Sequence, residues 1–126
     1  MPSTSTITRA RRICAAVIAA TVFLLAFLAG RFLFLGDLII ETHGYIGNTV
    51  FVVALVNLGL GLADRADGRE MAVAGLIALL TFSQIGLGYV GRDTADAAAL
   101  HIPNGVLLMG LAAYQFASMR STVPTD

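Results

Sequence analysis

Charge is scarce in this chain. Only 13% of its 126 residues are Asp, Glu, Lys or Arg, lysine is absent, and 57% of residues are hydrophobic. A soluble domain of this length needs far more polar surface to cover its core, so the composition excludes that class. The mean hydropathy of +0.82 agrees. The charges balance to zero, which leaves no basic stripe for a nucleic acid. Cysteine is nearly absent too. Cys14 alone excludes an internal disulfide and any multi-cysteine metal site. Histidine is limited to His43 and His101, too few by themselves for zinc, which takes three or four protein ligands. No nucleophile with a base and an orienting group stands out, so the residues do not spell out an enzyme.

What fills the chain instead is four apolar runs, Ile13–Phe34, Leu38–Ala63, Met71–Gly91 and Ala97–Met119. Each has about 20 residues or more, enough to cross a bilayer core of roughly 30 Å as a helix. The first follows a polar start, 1–8, expected to fray, and the cations Arg9, Arg11 and Arg12. It is too long for a signal peptide and lacks a small-residue cleavage site after it, so it reads as a retained span. Gly36-Asp37 marks a turn, and Thr94 or Asp96 offers an N-cap to the last run. The expected architecture is all-α: one integral-membrane domain, an up-down four-helix bundle with helices over roughly 10–34, 38–63, 70–91 and 97–119. Arg9, Arg11, Arg12, Arg65, Arg69 and Arg120 fall on one side, and Arg31 and Arg92 on the other. By the positive-inside rule both termini are then cytoplasmic, in the inner (cytoplasmic) membrane of a bacterial cell.

With this topology the second and fourth helices both start at the outer face. His43 lies five residues past Leu38, and His101 five past Asp96. Both imidazoles are therefore expected roughly 8 Å below the outer helix ends, at one depth. A shift of 58 positions registers the two halves without a gap. It pairs His43 with His101, Gly47 with Gly105, Gly30 with Gly88, Ala54 with Ala112 and Asn57 with Gln115. Such a repeat implies two helical hairpins related by an axis along the membrane normal. Spacings of three and four put His43, Gly47, Val50, Ala54, Asn57 and Gly61 on one stripe. They put His101, Gly105, Leu108, Ala112, Gln115 and Met119 on its counterpart.

An imidazole inside a membrane span is a functional candidate by default. Two at one depth, each one turn from a glycine that leaves space for a flat ring, suit the two axial positions of a haem b. Gly47 and Gly105 would flank the ring, and the outer-face cations Arg31 and Arg92 would hold its propionates. Gln84 reads either as an interhelical hydrogen bond, the reading preferred, or as support to a histidine or propionate. The same histidines also suit a structural strut between helices or a proton relay, although Glu41, two residues before His43, points away from it on a helix. Asn57 and Gln115 are expected to bond across the bundle nearer the cytoplasm. Pro103 lacks an N–H and is expected to kink the fourth helix beside His101.

The layout resembles one four-helix half of haem A synthase, in which histidines near the outer ends of the second and fourth helices ligate a b-type haem. The resemblance rests on topology together with His43 and His101. The stretches His43-Gly44-Tyr45-Ile46-Gly47 and Leu100-His101-Ile102-Pro103-Asn104-Gly105 are also similar to those of small bacterial four-helix membrane proteins of unknown function. The synthase pattern places a glutamate three residues before the first histidine, whereas Glu41 is two before, and a second half is absent here. That departure argues against the synthase activity itself. The resemblance implies a small membrane cytochrome b-like protein with bis-histidine haem b, embedded in the lipid bilayer and serving a membrane redox partner. The rival classes are an accessory subunit of a larger membrane complex and a small transporter.

Overall fold

The computed structural model describes residues 4–36 and 40–119. Four helices account for nearly all of them: α1 (Thr4–Leu35), α2 (Ile40–Ala63), α3 (Gly68–Val90) and α4 (Ala95–Ser118). All four are long and apolar enough to cross a membrane. The 23 residues of the shortest, α3, span about 35 Å at 1.5 Å per residue. The expected bundle is therefore what forms. The helix start at Leu38, the Asp37 half of the first turn, and Arg120 lie outside the described residues.

The helix ends show how local chemistry sets the turns. Gly36 leaves α1 with φ of 70°, a left-handed conformation that suits a residue without Cβ. The Asp67 side chain caps α3 by accepting from the Glu70 amide at 2.9 Å. Thr94 takes the N-cap position of α4, but its hydroxyl donates back to the Val90 carbonyl at 3.2 Å and caps nothing. One expectation is corrected here. The polar residues from Thr4 onward are helical, not frayed, and Thr8 reaches the Asp64 carboxylate at 3.4 Å. Helix α4 runs on through Pro103, which is exposed.

Each helix packs against two others, in the ring order α1, α2, α3, α4, so that α1 faces α3 and α2 faces α4 across the centre. Small residues are prominent in the core: Ala15, Ala54, Ala74 and Ala112 are fully buried, beside Ile18 and Ile77. Bulky side chains point outward instead, with Phe34 85% and Phe23 67% exposed. That inversion fits a bundle solvated by lipid, where tails are as apolar as leucine and close backbone approach decides packing.

The register of the buried faces shows the pseudo-two-fold. On α2 and α4 the buried pairs Val50/Leu108, Ala54/Ala112 and Asn57/Gln115 are separated by 58, as the sequence repeat predicts. On α1 and α3 the register is 59. The Arg11–Glu70 ion pair carries that separation, and so do the buried pairs Ala15/Ala74, Ile18/Ile77 and Val22/Thr81. The gapless shift of 58 thus fails for α1 and α3, and Gly30 is not the counterpart of Gly88. The physical reason is one extra residue in the first hairpin: His43 follows Leu25 by 18 residues, whereas His101 follows Gln84 by 17.

Counting along antiparallel neighbours from the Gly61–Arg11 and Gly105–Gln84 contacts sets the levels of the core. Large residues on one diagonal meet small ones on the other. Ile18 and Ile77 share a level with Ala54 and Ala112, and Asn57 and Gln115 share one with Ala15 and Ala74. This large-on-small alternation fills space without strain.

The candidate site: a histidine pair across the bundle axis

His43 enters from α2 and His101 from α4, the two helices that face each other diagonally. α2 and α4 run in the same direction, and His43, three residues past the start of α2, and His101, six past the start of α4, meet near one depth. The two ring centres are 6.1 Å apart and the planes are inclined at 48°. Both rings are half-buried, and the Nδ1 atom of each is buried without a hydrogen-bond partner. Backbone of Leu25 on α1 approaches His43, and backbone of Gln84 on α3 approaches His101, without closing a bond onto either Nδ1. All four helices thus meet around the pair.

The glycines divide in a way the sequence did not foretell. A Cβ added to Gly88 would stand 3.1 Å from Cε1 and 3.4 Å from Nδ1 of His101. That edge of the imidazole therefore lies against α3, and Gly88 is what makes room for it. Around Gly47 there is open space, with nothing within 4 Å of an added Cβ. Gly105 is different: its notch holds the Gln84 amide, whose Nε2 would lie 2.9 Å from an added Cβ. The expected pair of matching spaces is thus open on the Gly47 side and occupied on the Gly105 side.

Asn104 explains why Gln84 stays there. Its amide nitrogen donates to Gln84 Oε1 at 2.6 Å and to the Leu80 carbonyl at 3.0 Å. Gln84 is therefore an interhelical hydrogen-bond group that also packs one turn from His101. Asn104 and Gly88 were not singled out as site residues from sequence. The available signals were the Asn-Gly step after His101 and a glycine thirteen residues before it.

Of the two cations assigned to this end, Arg92 is the nearer to the site. Its guanidinium would lie 3.9 Å from a Cβ on Gly44, the residue after His43, and it stacks 5.2 Å from the Tyr89 ring centre. The Tyr89 hydroxyl lies 3.4 Å from the Asn48 amide. Arg31 is exposed near the end of α1. Deeper in the bundle, Asn57 and Gln115 form the expected reciprocal bond, 2.8 Å one way and 3.4 Å the other, fully desolvated. Between this pair and the histidines lies the level of Ile18, Ala54, Ile77 and Ala112, each 0% exposed. It interrupts any polar path along the axis. The groove of about 310 Å³ between α1 and α2, lined by Val17, Ile18, Ile46 and Val50 among others, is apolar and away from the imidazoles.

The separation of the two rings can be compared with that of two imidazoles sharing one metal ion. Two imidazoles bound to one ion at about 2 Å through one nitrogen each have ring centres roughly 6 Å apart, and the observed separation is 6.1 Å. Among the described residues no group of three or more His, Cys, Asp or Glu converges to hold a metal ion, so any metal here would rest on the two rings. Comparison of this chain with family models, characterised proteins and solved structures finds no significant match.

Proposed function

We propose that this chain is a small membrane cytochrome b-like protein, with His43 and His101 as the axial ligands of a haem b and electron transfer as its role. The observation that carries the proposal is the facing of two imidazoles from diagonal helices at the separation that a shared iron requires. A bound haem b supplies one-electron redox chemistry at its iron.

The protein's own residues do the rest. His101 has its Cε1 edge, flanked by both ring nitrogens, turned to Gly88, and either nitrogen could serve as the ligand. The backbone of Gln84 approaches the ring without bonding its Nδ1. Held by both imidazoles, a haem would supply electron carriage and not oxygen binding. Gly47 offers space beside the pair, and Gln84, held by Asn104, would bound it on the opposite side. Arg92, and Arg31 at the same end, would pair with the propionates. In this reading the arginine-rich end faces the cytoplasm and the histidine end faces outward. The chain then lies in the lipid bilayer beside a membrane redox partner or within a larger membrane complex.

The rival reading is an accessory bundle whose histidines are struts. It is favoured by Asn57–Gln115, which is such a strut between the same two helices. A strut, however, draws its strength from hydrogen bonds, and both Nδ1 atoms lack them. A pyridine haemochrome assay on protein purified from haem-replete cells decides between the two: about one haem b per chain supports the cytochrome reading, and none leaves the strut.

A further inference from the structure

The other end of the bundle holds a second polar constellation, independent of the histidines. Arg11 is the largest fully buried side chain, at 0% exposure. Its Nη1 donates to Glu70 Oε2 at 2.7 Å, whereas Nε and Nη2 are buried with no partner. Those two atoms form the side-on edge of the guanidinium, whose parallel N–H bonds match a carboxylate or phosphate bidentately. A buried guanidinium with a single bond at Nη1 and no partner at Nε or Nη2 is costly unless those nitrogens find an acceptor.

The surroundings indicate what kind of acceptor. A Cβ on Gly61 would stand 3.4 Å from both Cζ and Nε. With Cζ and Nε nearer to it than either Nη atom, Gly61 lies against the guanidinium face, so α2 packs on that face while the Nε/Nη2 edge is buried without an acceptor. The Met71 sulfur, which would lie 2.9 Å from that same Cβ, is the end of a flexible thioether that can yield. Charge favours an anion. Among the described residues this end carries Arg9, Arg11, Arg12, Arg65 and Arg69 against Asp64, Asp67 and Glu70, five cations to three carboxylates. Glu70 offsets one cation and leaves a surplus. Basic pockets between transmembrane helices at the end of a span commonly hold lipid phosphates.

We propose that the free edge of Arg11 is a binding site for a phosphate group, with Glu70 orienting the guanidinium and Gly61 admitting it. The phosphate arrives either on the headgroup of a phospholipid in the adjacent leaflet or as free inorganic phosphate. The test uses the full chain, delipidated in detergent, titrated with inorganic phosphate and separately with short-chain phosphatidylglycerol. Helical content is checked by circular dichroism. The wild type is expected to bind one phosphate group per chain. Arg11→Lys keeps the charge but loses the fork, and should bind at least about tenfold more weakly. Gly61→Ala displaces the guanidinium by tenths of an ångström, and should weaken binding several-fold even if the lysine variant does not fold. Binding of phosphatidylglycerol alone identifies the lipid source, and binding of both probes identifies the free anion. Failure of the wild type to bind either probe overturns the proposal. So does binding by folded Arg11→Lys within about twofold of wild type, or by Gly61→Ala at the wild-type level.

Discussion

The Asn57–Gln115 pair allows the polar packing of the core to be weighed in isolation. The two amides are 0% and 2% exposed and bond reciprocally. The alanines on the same level, Ala15 and Ala74, are too short to replace them. Asn57→Ala leaves the Gln115 amide desolvated and unpartnered, a cost of about 1–3 kcal/mol in a protein interior. In a membrane the unfolded helices also find polar partners, so the pairwise coupling averages about 0.6 kcal/mol and reaches about 1.7. Full burial and a short 2.8 Å bond put this pair in the upper half of that range. Each single alanine variant should therefore lose about 1–2 kcal/mol, and the double variant should lose about 1 kcal/mol less than their sum. Unfolding by sodium dodecyl sulfate in mixed micelles, followed by far-ultraviolet circular dichroism, gives all four corners of the cycle. The pair lies fourteen residues, roughly 21 Å, from His43 along α2, so any haem spectrum should be unchanged in these variants. Additivity within about 0.3 kcal/mol, or a lost spectrum, would refute the reasoning.

Gly88→Leu should displace His101, since even a Cβ there would come within 3.1 Å of Cε1; haem content per chain should fall well below that of Gly47→Ala, whose Cβ meets nothing within 4 Å. Alanine at Arg92 or Arg31 should weaken haem retention only mildly, by less than about 1 kcal/mol, because exposed ion pairs contribute little; transfer to apomyoglobin measures it. In a Cys14→Ser background, a cysteine at Thr94 should react with an impermeant maleimide from outside intact cells and one at Gly68 should not. Labelling at Gly68 from outside would reverse the orientation.

How far the sequence carried the fold depended on which residues marked a face. On α2 and α4 the histidines, the amides and the intervening small residues recur at spacings of three and four. Those stripes became the buried seam along Val50, Ala54, Asn57 and Gly61, with Leu108, Ala112 and Gln115 opposite. On α1 no such marker exists. In lipid the outward face is as apolar as the core, so periodicity cannot tell Ile18, fully buried, from Phe23, 67% exposed. The register of 59 on α1 and α3 was hidden for the same reason. Arg11 was legible only as one more cation counted for orientation. Its burial comes from Gly61 and Glu70, which are 50 or more residues away. The Gly105 notch was read as space because a missing side chain says nothing about what a neighbouring helix sends into it. Here that is Gln84, fixed by Asn104.

The central claim is tested most directly by the absorbance spectrum of the wild-type protein purified from haem-replete cells, oxidised and then reduced with dithionite, beside His43→Ala and His101→Ala. The account predicts a low-spin b-type spectrum that sharpens on reduction in the wild type and is abolished or converted by loss of either imidazole. A folded wild-type protein without a Soret band, or one whose spectrum survives both substitutions, would contradict it.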